Sequence, residues 1–276
     1  MTRRVVVDGR SYELSETLQS DELAPIFADA WTASRVWEAS RFLAERLMSF
    51  SSQRPPTFDV CCGQCVLELG SGCGLAGLVA ASLGADVLLT DQHEALELLQ
   101  RNIVANATSE SERSRLHVAE FVWGSRWSLE RRHFAYILVS DCINPIYGQE
   151  SWRNLARSIY ELSDDKTITY LAHEARGEDE AMVDFLQFSK EMLQCERIDQ
   201  QGRISLFRVV KQGKSVLNQR QSKAAAAEAD SGRIDRHRRK IEHLLHVLQD
   251  EIAKETRREI VAQADQGLVS LGGMWH

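Results

Sequence analysis

Short apolar runs alternate with amphipathic stretches along most of this 276-residue chain. An apolar run of about four to eight residues bounded by turn residues indicates a buried strand, whereas apolar residues three and four positions apart indicate one face of a helix. The alternation of the two patterns is typical of a mostly parallel sheet covered by helices. Seven strands are predicted, at residues 66–69, 86–91, 114–118, 135–143, 167–172, 195–198 and 204–210.

Helices are predicted before and between these strands. The amphipathic stretch 34–50 precedes the first strand, and most of its apolar face is interpreted as core. The last two strands are separated by only a turn, so we expect them to pair as an antiparallel hairpin, unlike the six parallel strands of a dehydrogenase domain. The fold class is therefore α/β, a Rossmann-like seven-stranded sheet with a terminal antiparallel hairpin. The remaining helices are expected at residues 75–83, 94–106, 150–162 and 178–193.

The two ends of the chain differ from this alternating part. Residues 5–14 read as two short strands about the turn Asp8-Gly9. Near the other end, a charged helix is predicted at 233–261, with an apolar stripe about three turns long that could dock on the body of the protein or on a partner. The chain therefore divides into three regions, namely a hairpin and linker (1–33), the sheet domain (34–213) and a partly flexible helical tail (214–276).

The net charge of −7 is unevenly distributed. Residues 1–210 carry a net charge near −10, whereas residues 211–276 carry a net charge near +3. An acidic body argues against general nucleic-acid binding and suits a basic protein or peptide as partner. We see neither a signal peptide nor an apolar run of membrane-spanning length, so we expect a protein of the cytoplasm, with the nucleus as a second compartment.

The six cysteines suggest thiols rather than a metal centre. Three of them fall in the stretch Cys61-Cys62-Gly63-Gln64-Cys65, which resembles half of a zinc site. No second pair of cysteines with suitable spacing is found later in the sequence, so no metal site is predicted. Reduced thiols in a cytosolic protein are the preferred interpretation.

The most informative stretch joins the first strand of the sheet to the helix after it. Gly72, Gly74 and Gly77 fit the dinucleotide spacing G-x-G-x-x-G, while Gly70, Gly72 and Gly74 fit G-x-G-x-G. Glycines allow a tight turn and let a ligand lie against the main chain, facing the N–H groups of the helix start. The spacing alone leaves the ligand open, and a loop that merely packs would show it too.

Two carboxylates favour one ligand over the others. Glu68 stands at the carboxyl end of its strand, where it would repel a pyrophosphate and attract a cation. Asp91 ends the next strand, at the place where acids bind a ribose diol in such folds. S-adenosylmethionine (SAM), with its ammonium and sulfonium groups and its ribose, suits both carboxylates, whereas NAD suits only the second.

Aromatic and polar residues complete the predicted site. Trp123 follows the third strand and could provide a flat apolar wall for an adenine, and Trp37 could cover the ligand. Each tryptophan taken alone would more often be a core residue. Ser140, Asp141 and Glu174 lie at the ends of later strands, at the edge of the sheet where ligands bind.

Five separated motifs occur in the order found in one known family, and the chain resembles the seven-β-strand lysine methyltransferases of the methyltransferase-like 21 group, which methylate non-histone proteins. The resemblance covers about residues 30–210 and implies a SAM-dependent enzyme acting on a protein lysine. It implies that Trp37, Gly70, Ser71, Gly72, Asp91, Trp123 and Ser140 bind SAM, to which the residue-level interpretation adds Glu68 and Gly74. The motifs are Arg35-Val36-Trp37-Glu38-Ala39-Ser40, Leu67-Glu68-Leu69-Gly70-Ser71-Gly72-Cys73-Gly74-Leu75-Ala76-Gly77, Leu89-Thr90-Asp91, Val122-Trp123-Gly124 and Val139-Ser140-Asp141.

One motif departs from the family pattern. The family has Asp-x-x-Tyr after the fourth strand, but here Asp141 is followed three residues later by Asn144, and the next tyrosine is Tyr147. The stretch Asn144-Pro145-Ile146-Tyr147 is similar to an Asn-Pro-Pro-Tyr element of enzymes that methylate amide or nucleobase nitrogen. In those enzymes the Asn occupies the position of Asp141, and a shift of three residues moves a group by roughly 10 Å. Lysine methylation is therefore favoured.

Three residues are the candidate catalytic set. A lysine, whose ordinary pKa is about 10.4, must lose its proton before it can attack a methyl group. Asp141 is expected to orient the acceptor ammonium, and Tyr147 and Asn144 to line the channel; Glu174 could face the acceptor or pair with Arg176. Two other classes stay open, a SAM-binding scaffold without chemistry and, less favoured, a nicotinamide oxidoreductase.

Overall fold

The computed structural model describes residues 1–16, 32–127 and 133–213. A short 3-10 helix spans Pro145–Tyr147. In this part of the chain the strands are β1 (Thr2–Val7), β2 (Arg10–Ser15), β3 (Cys65–Leu69), β4 (Asp86–Asp91), β5 (Leu116–Glu120), β6 (Tyr136–Ser140), β7 (Ile168–Glu174), β8 (Leu193–Gln201) and β9 (Ile204–Lys211). The helices are α1 (Glu38–Ser52), α2 (Leu75–Ser82), α3 (His93–Asn106), α4 (Glu110–Arg113), α5 (Gln149–Leu162) and α6 (Glu180–Ser189).

Seven of the strands form one sheet in the order β5-β4-β3-β6-β7-β9-β8. The first five in this order are parallel, and β9 pairs antiparallel with both β7 and β8. The predicted α/β class, the seven-stranded sheet and the terminal hairpin are thus confirmed. β1 and β2 form a separate antiparallel pair about the turn at Asp8 and Gly9, also as predicted.

Helices cover both faces of the sheet, which explains the continuous apolar runs in the sequence. One core layer holds the buried residues of α1, α2 and α3, such as Leu47 and Leu78, together with the N-terminal hairpin. The other layer holds those of α5 and α6, such as Leu155 and Phe185. Among the described helices, none is long and apolar enough to cross a lipid bilayer.

Polar groups attach the N-terminal hairpin to α3. The Asn106 side chain accepts a hydrogen bond from the backbone N–H of Glu13 at 2.7 Å and donates one to its carbonyl at 2.9 Å, as a neighbouring strand would. Asn102 accepts similarly from the N–H of Ser15 at 2.7 Å and also donates to the carbonyl of Cys73 at 3.1 Å. Because Cys73 belongs to the glycine loop, Asn102 connects the hairpin to that loop.

Two element boundaries near the start of the fold differ from the prediction. The first helix begins at Glu38, not at residue 34, because Trp37 has an extended backbone, with φ −83° and ψ 149°. The strand predicted at 114–118 is found at 116–120. The short helix α4 precedes it, and Ser114 still has helical dihedral angles as its C-cap.

The later boundaries shift for similar reasons. The strand β6 ends at Ser140 rather than continuing to 143, because Asp141 takes a left-handed backbone conformation with φ +57°. The helix predicted at 178–193 spans only 180–189, and Leu193 already belongs to β8. The predicted tail helix at 233–261 lies outside the described residues, as does most of the predicted linker.

Candidate active site

A cavity of about 210 Å³ opens where the parallel strands end. Its walls are formed by residues 32–40 and by the loops that follow β3, β4, β5 and β6. Because these strands all end at the same edge of the sheet, side chains from distant parts of the sequence meet there. Nine of the predicted site residues line the cavity, namely Trp37, Gly70, Ser71, Gly72, Asp91, Trp123, Ser140, Asp141 and Tyr147.

The glycine loop forms one wall and leaves no room for side chains. Gly70 and Gly72 have φ values of +64° and +53°, in the left-handed region that favours glycine. A Cβ atom on Gly70 would lie 2.7 Å from both the Trp123 ring and the Cys142 sulfur, and one on Gly72 would lie 2.9 Å from the carbonyl oxygen of Ala33. The bare main chain of the loop therefore faces the cavity closely.

Hydrogen bonds connect this loop to the end of β4. The Ser71 hydroxyl accepts from the N–H of Thr90 at 3.0 Å, and the N–H of Ser71 donates to the Thr90 carbonyl at 3.0 Å. One Asp91 carboxylate oxygen accepts from the N–H of Gly72 at 2.7 Å, and the other accepts from the N–H of Gln92 at 2.8 Å. Burial raises the pKa of Asp91, and these two hydrogen bonds oppose the rise. Asp91 thus fixes the loop while keeping its carboxylate on the cavity.

The Glu68 side chain does not reach the cavity, so it cannot contact a cationic ligand there directly. Side chains alternate along β3, and Glu68 points to the α2 face of the sheet, where it is 1% exposed. Its carboxyl accepts a hydrogen bond from the N–H of Gly77 at 3.1 Å, and burial raises its pKa to about 8. Gly74, the N-cap of α2, also lies away from the cavity, against Leu89 and Leu99. Both residues support the loop from behind, so the expected direct contact of Glu68 is corrected.

Trp37 lines the cavity and packs against two arginines. Its indole N–H donates to the carbonyl of Thr32 at 2.9 Å. Two guanidinium groups lie over its ring, that of Arg35 at 5.2 Å and that of Arg176 at 5.1 Å from the ring centre. Cations at this distance are attracted to the face of an indole ring. The Trp37 ring is thus held in place by a hydrogen bond and two cation–π contacts.

Asp141 lies at the same end of the cavity, with its side chain only 1% exposed. Both of its carboxylate oxygens accept hydrogen bonds from Arg176, one of them at 2.9 Å from Nη1. The N–H of Glu174 approaches the same oxygen at 3.4 Å. The predicted pairing of Glu174 with Arg176 is present as a longer contact of 3.7 Å. Arg176 is therefore bound mainly to Asp141, which the sequence did not indicate.

Asn144 and Tyr147 lie at opposite ends of the 3-10 helix. Tyr147 lines the cavity, hydrogen-bonds to the Thr32 side chain, and has a pKa raised by burial. Asn144 is the N-cap of the 3-10 helix, and its side-chain oxygen accepts from the N–H of Ile146 at 3.2 Å. The amide of Asn144 is therefore used for local capping and does not line the cavity. Its predicted place in the channel is corrected.

Sequence reasoning missed several residues that line the cavity. Ser151 and Asn154 lie in the first turns of α5, directly after Tyr147, so their proximity could have been inferred from that spacing. Asn154 accepts a hydrogen bond from Arg157 at 2.6 Å. The other lining residues without a predicted role are Thr32, Ala33, Arg35, Ser40, Cys73, Gln92, Glu94, Ala95, Phe121, Val122 and Cys142.

Comparison with known proteins identifies relatives of this chain. Residues 28–192, more than half of the chain, match the family model described as "Lysine methyltransferase". Protein N-lysine methyltransferase METTL21A of Danio rerio is 34% identical over 151 residues, which cover 54% of this chain and 67% of that protein. The UPF0665 family protein C23C4.06c of Schizosaccharomyces pombe is 31% identical over 157 residues, covering 54% of this chain and 44% of that protein.

A third relative is named for its substrate. EEF1A lysine methyltransferase 3 of Xenopus tropicalis is 27% identical over 151 residues, which cover 55% of this chain and 62% of that protein. The chain thus spans 44% to 67% of the length of these three relatives.

Proposed function

This chain belongs to the lysine methyltransferase family, and we propose that it transfers a methyl group from SAM to a lysine side chain of a non-histone protein. One observation carries the proposal. A single cavity brings the glycine loop and Asp91, which suit a nucleoside, together with Asp141 and Tyr147, which suit an amine. Both halves of a methyl transfer thus have residues of suitable chemistry in one place.

The cofactor half of the cavity fits SAM. A Cβ atom on Gly70 or Gly72 would collide with neighbouring protein atoms, so both positions keep bare main chain beside the cavity. Asp91 and Trp123 line the cavity, where the carboxylate would bind a ribose diol and the indole would pack on an adenine. Ser71, Trp37 and Ser140 complete the set that would hold the cofactor. When bound, SAM supplies a methyl group already activated on a sulfonium.

The acceptor half would align and deprotonate the lysine. Trp37 and Tyr147 restrict access of water, and a drier site favours a neutral amine over an ammonium. The Asp141 carboxylate is bound to Arg176, but its Oδ2 oxygen accepts from Arg176 alone and keeps a lone pair that can accept a hydrogen bond from the amine. Asp141 therefore orients the attacking nitrogen, which provides the alignment that methyl transfer needs.

The arrangement disfavours the alternative acceptors. An enzyme acting on amide or nucleobase nitrogen would need the Asn144 amide in the site, but that amide caps the 3-10 helix outside the cavity. The relatives named as lysine methyltransferases support a protein substrate, and EEF1A is the substrate class to examine first. The proposal includes a reducing compartment, cytoplasm or nucleus, because all six cysteines are free thiols; imaging of a fluorescent fusion would test it.

Transfer can be tested with radiolabelled SAM. The purified full chain is incubated with fractionated eukaryotic extract, beside the variants Asp141→Asn and Asp184→Asn. Asp184 is the matched control, because this residue of α6 also binds an arginine with both oxygens, but that arginine, Arg153, belongs to α5 and the pair does not line the cavity. We expect a labelled protein band with the wild type and Asp184→Asn, and at least tenfold less label with Asp141→Asn. No labelled protein, with SAM still bound, would instead indicate a scaffold without chemistry.

A further inference from the structure

Arg176 does not line the cavity, but it contacts two residues that do. Its guanidinium lies against both Asp141, which it binds through two nitrogens, and the Trp37 ring, 5.1 Å away. Both of those residues line the cavity. Arg176 therefore places a positive charge directly behind the acceptor half of the site.

The loop that carries Arg176 is fixed on both sides. The N–H of Ala175 donates to the carbonyl of Arg203 at 2.9 Å, and Arg203 Nε donates back to the carbonyl of Ala175 at 2.9 Å. At the far end of the loop, buried His173 contacts the Asp179 carboxylate at 2.8 Å. The guanidinium also donates to the carbonyl of Glu174 at 3.1 Å. A loop held in this way keeps the charge of Arg176 at a constant position.

Resting on the proposed function, we propose that Arg176 is a positioning residue that holds Asp141 at the cavity and, as a fixed cation, favours the neutral form of the acceptor lysine. A cation near an amine disfavours the ammonium, because two like charges repel. Without Arg176, the negative charge of Asp141 at the cavity would be uncompensated, with that of Glu174 close behind it, and would stabilise the ammonium. The amine would then keep its proton and would not attack.

No other group named near the acceptor half supplies the fixed positive charge that Arg176 provides behind Asp141. The hydrogen bonds with Asp141 raise the pKa of Arg176, so its charge is permanent across the working range of pH. Burial raises the pKa values of the Tyr147 phenol and the Cys142 thiol, so both are neutral. The groups that face Arg176 or the acceptor half are Asp141, Glu174, Tyr147, Cys142 and Arg35.

Sinefungin allows a test that needs no protein substrate. It is a SAM analogue with a primary amine in place of the methylated sulfur, so its amine titrates while the sulfonium of SAM does not. The affinities of the full chain for SAM and sinefungin, measured by calorimetry between about pH 6.5 and 9.5, give the apparent pKa of the bound amine. Arg176→Gln should raise this pKa by about one unit, equivalent to a tenfold change in the protonation equilibrium.

Two variants separate the charge of Arg176 from its structural contacts. Arg176→Lys loses the two-nitrogen contact with Asp141 but keeps the charge, so it should leave the pKa of the bound amine within a few tenths of a unit of the wild-type value. The matched control is Arg153→Gln, because Arg153 also binds an aspartate, Asp184, with two nitrogens and lies 5.2 Å over an aromatic ring, that of Phe188. It should change the thermal stability without changing the amine pKa.

A third variant keeps the test decisive if Arg176→Gln does not fold. Glu174→Gln removes a carboxylate 3.7 Å from the same guanidinium and should lower the pKa of the bound amine. Unchanged pKa values in Glu174→Gln and in folded Arg176→Gln would overturn the inference. Failure of the proposed function is a separate result, since it would leave no methylated protein while the shift in amine pKa persisted.

Discussion

The carboxylate of Asp91 accepts a hydrogen bond at 2.7 Å from the backbone N–H of Gly72, across the gap between the ends of β4 and β3. This contact joins two predicted cofactor residues that lie 19 positions apart in the sequence. An acid at the end of β4 therefore fixes the conformation of the glycine loop that follows the neighbouring strand β3.

Asp91→Asn should weaken SAM binding at least tenfold. The amide keeps the shape of the side chain, but it removes the negative charge that the ribose hydroxyls would bind, and hydrogen bonds to charged groups contribute about 1.5–3 kcal/mol. Calorimetric titration with SAM measures the effect. Wild-type affinity in Asp91→Asn would contradict a role for the Asp91 charge in SAM binding. Asp91 would then serve only to hold the glycine loop.

Gly70→Ala should abolish SAM binding and lower the melting temperature. The new methyl group would lie 2.7 Å from both Trp123 and Cys142, in a backbone conformation with φ +64° that alanine rarely adopts. Gly202→Ala is the matched control, because Gly202 has φ +59° but no atom within 4 Å of the added Cβ. Equal loss of stability in both variants would show that backbone strain, not the close approach of the loop to Trp123, decides the outcome.

Glu68→Gln should remove a pH dependence of stability. A carboxyl whose folded pKa is raised from 4.5 to about 8 is protonated in the folded chain but ionised in the unfolded chain within that window. The unfolded state then binds fewer protons, so the free energy of unfolding falls as pH rises from about 4.5 to 8, by at most about 1.4 kcal/mol per unit. Urea unfolding at several pH values should show a flatter profile for Glu68→Gln. An equally steep profile in that variant would contradict the assignment.

Asn106→Ala should destabilise the fold by about 1–3 kcal/mol, because it leaves the N–H and carbonyl of Glu13 without their partner. Hydrogen exchange should show loss of protection in β2 before loss in the seven-stranded sheet. Asn106→Asp keeps the acceptor and should recover part of the difference. Unchanged exchange of β2 in Asn106→Ala would mean that apolar contacts alone hold the hairpin.

Local patterns predicted the sheet well because its central strands are buried on both faces. The runs around Leu67 and Leu138 are continuously apolar because both faces of these strands are buried, and such runs can be recognised in the sequence alone. Strand ends were less predictable. Asp141 ends β6 through a left-handed backbone conformation, and Asn144 caps a 3-10 helix, and neither feature changes the apolar pattern.

The candidate site was likewise predictable only in part. The glycine loop and Asp91 were predictable because their chemistry depends on spacing within a strand–loop–helix unit. Glu68 was misplaced because alternation along β3 decides which face of the sheet a side chain takes, and its polarity suggested the cavity instead. Arg176 was not assigned to Asp141 because their contact joins two loops 35 positions apart, and only the pairing of β6 with β7 brings those loops together.

The central claim is that the acceptor is the nitrogen of a protein lysine. The most direct measurement is hydrolysis of the protein labelled by radioactive SAM, followed by chromatography of its amino acids against methylated standards. We expect the label in methyllysine, and its absence when Asp141→Asn replaces the wild type. Label in methylglutamine, or in nucleic acid that survives protease, would contradict the lysine assignment and point to the acceptors of the Asn144-Pro145-Ile146-Tyr147 element.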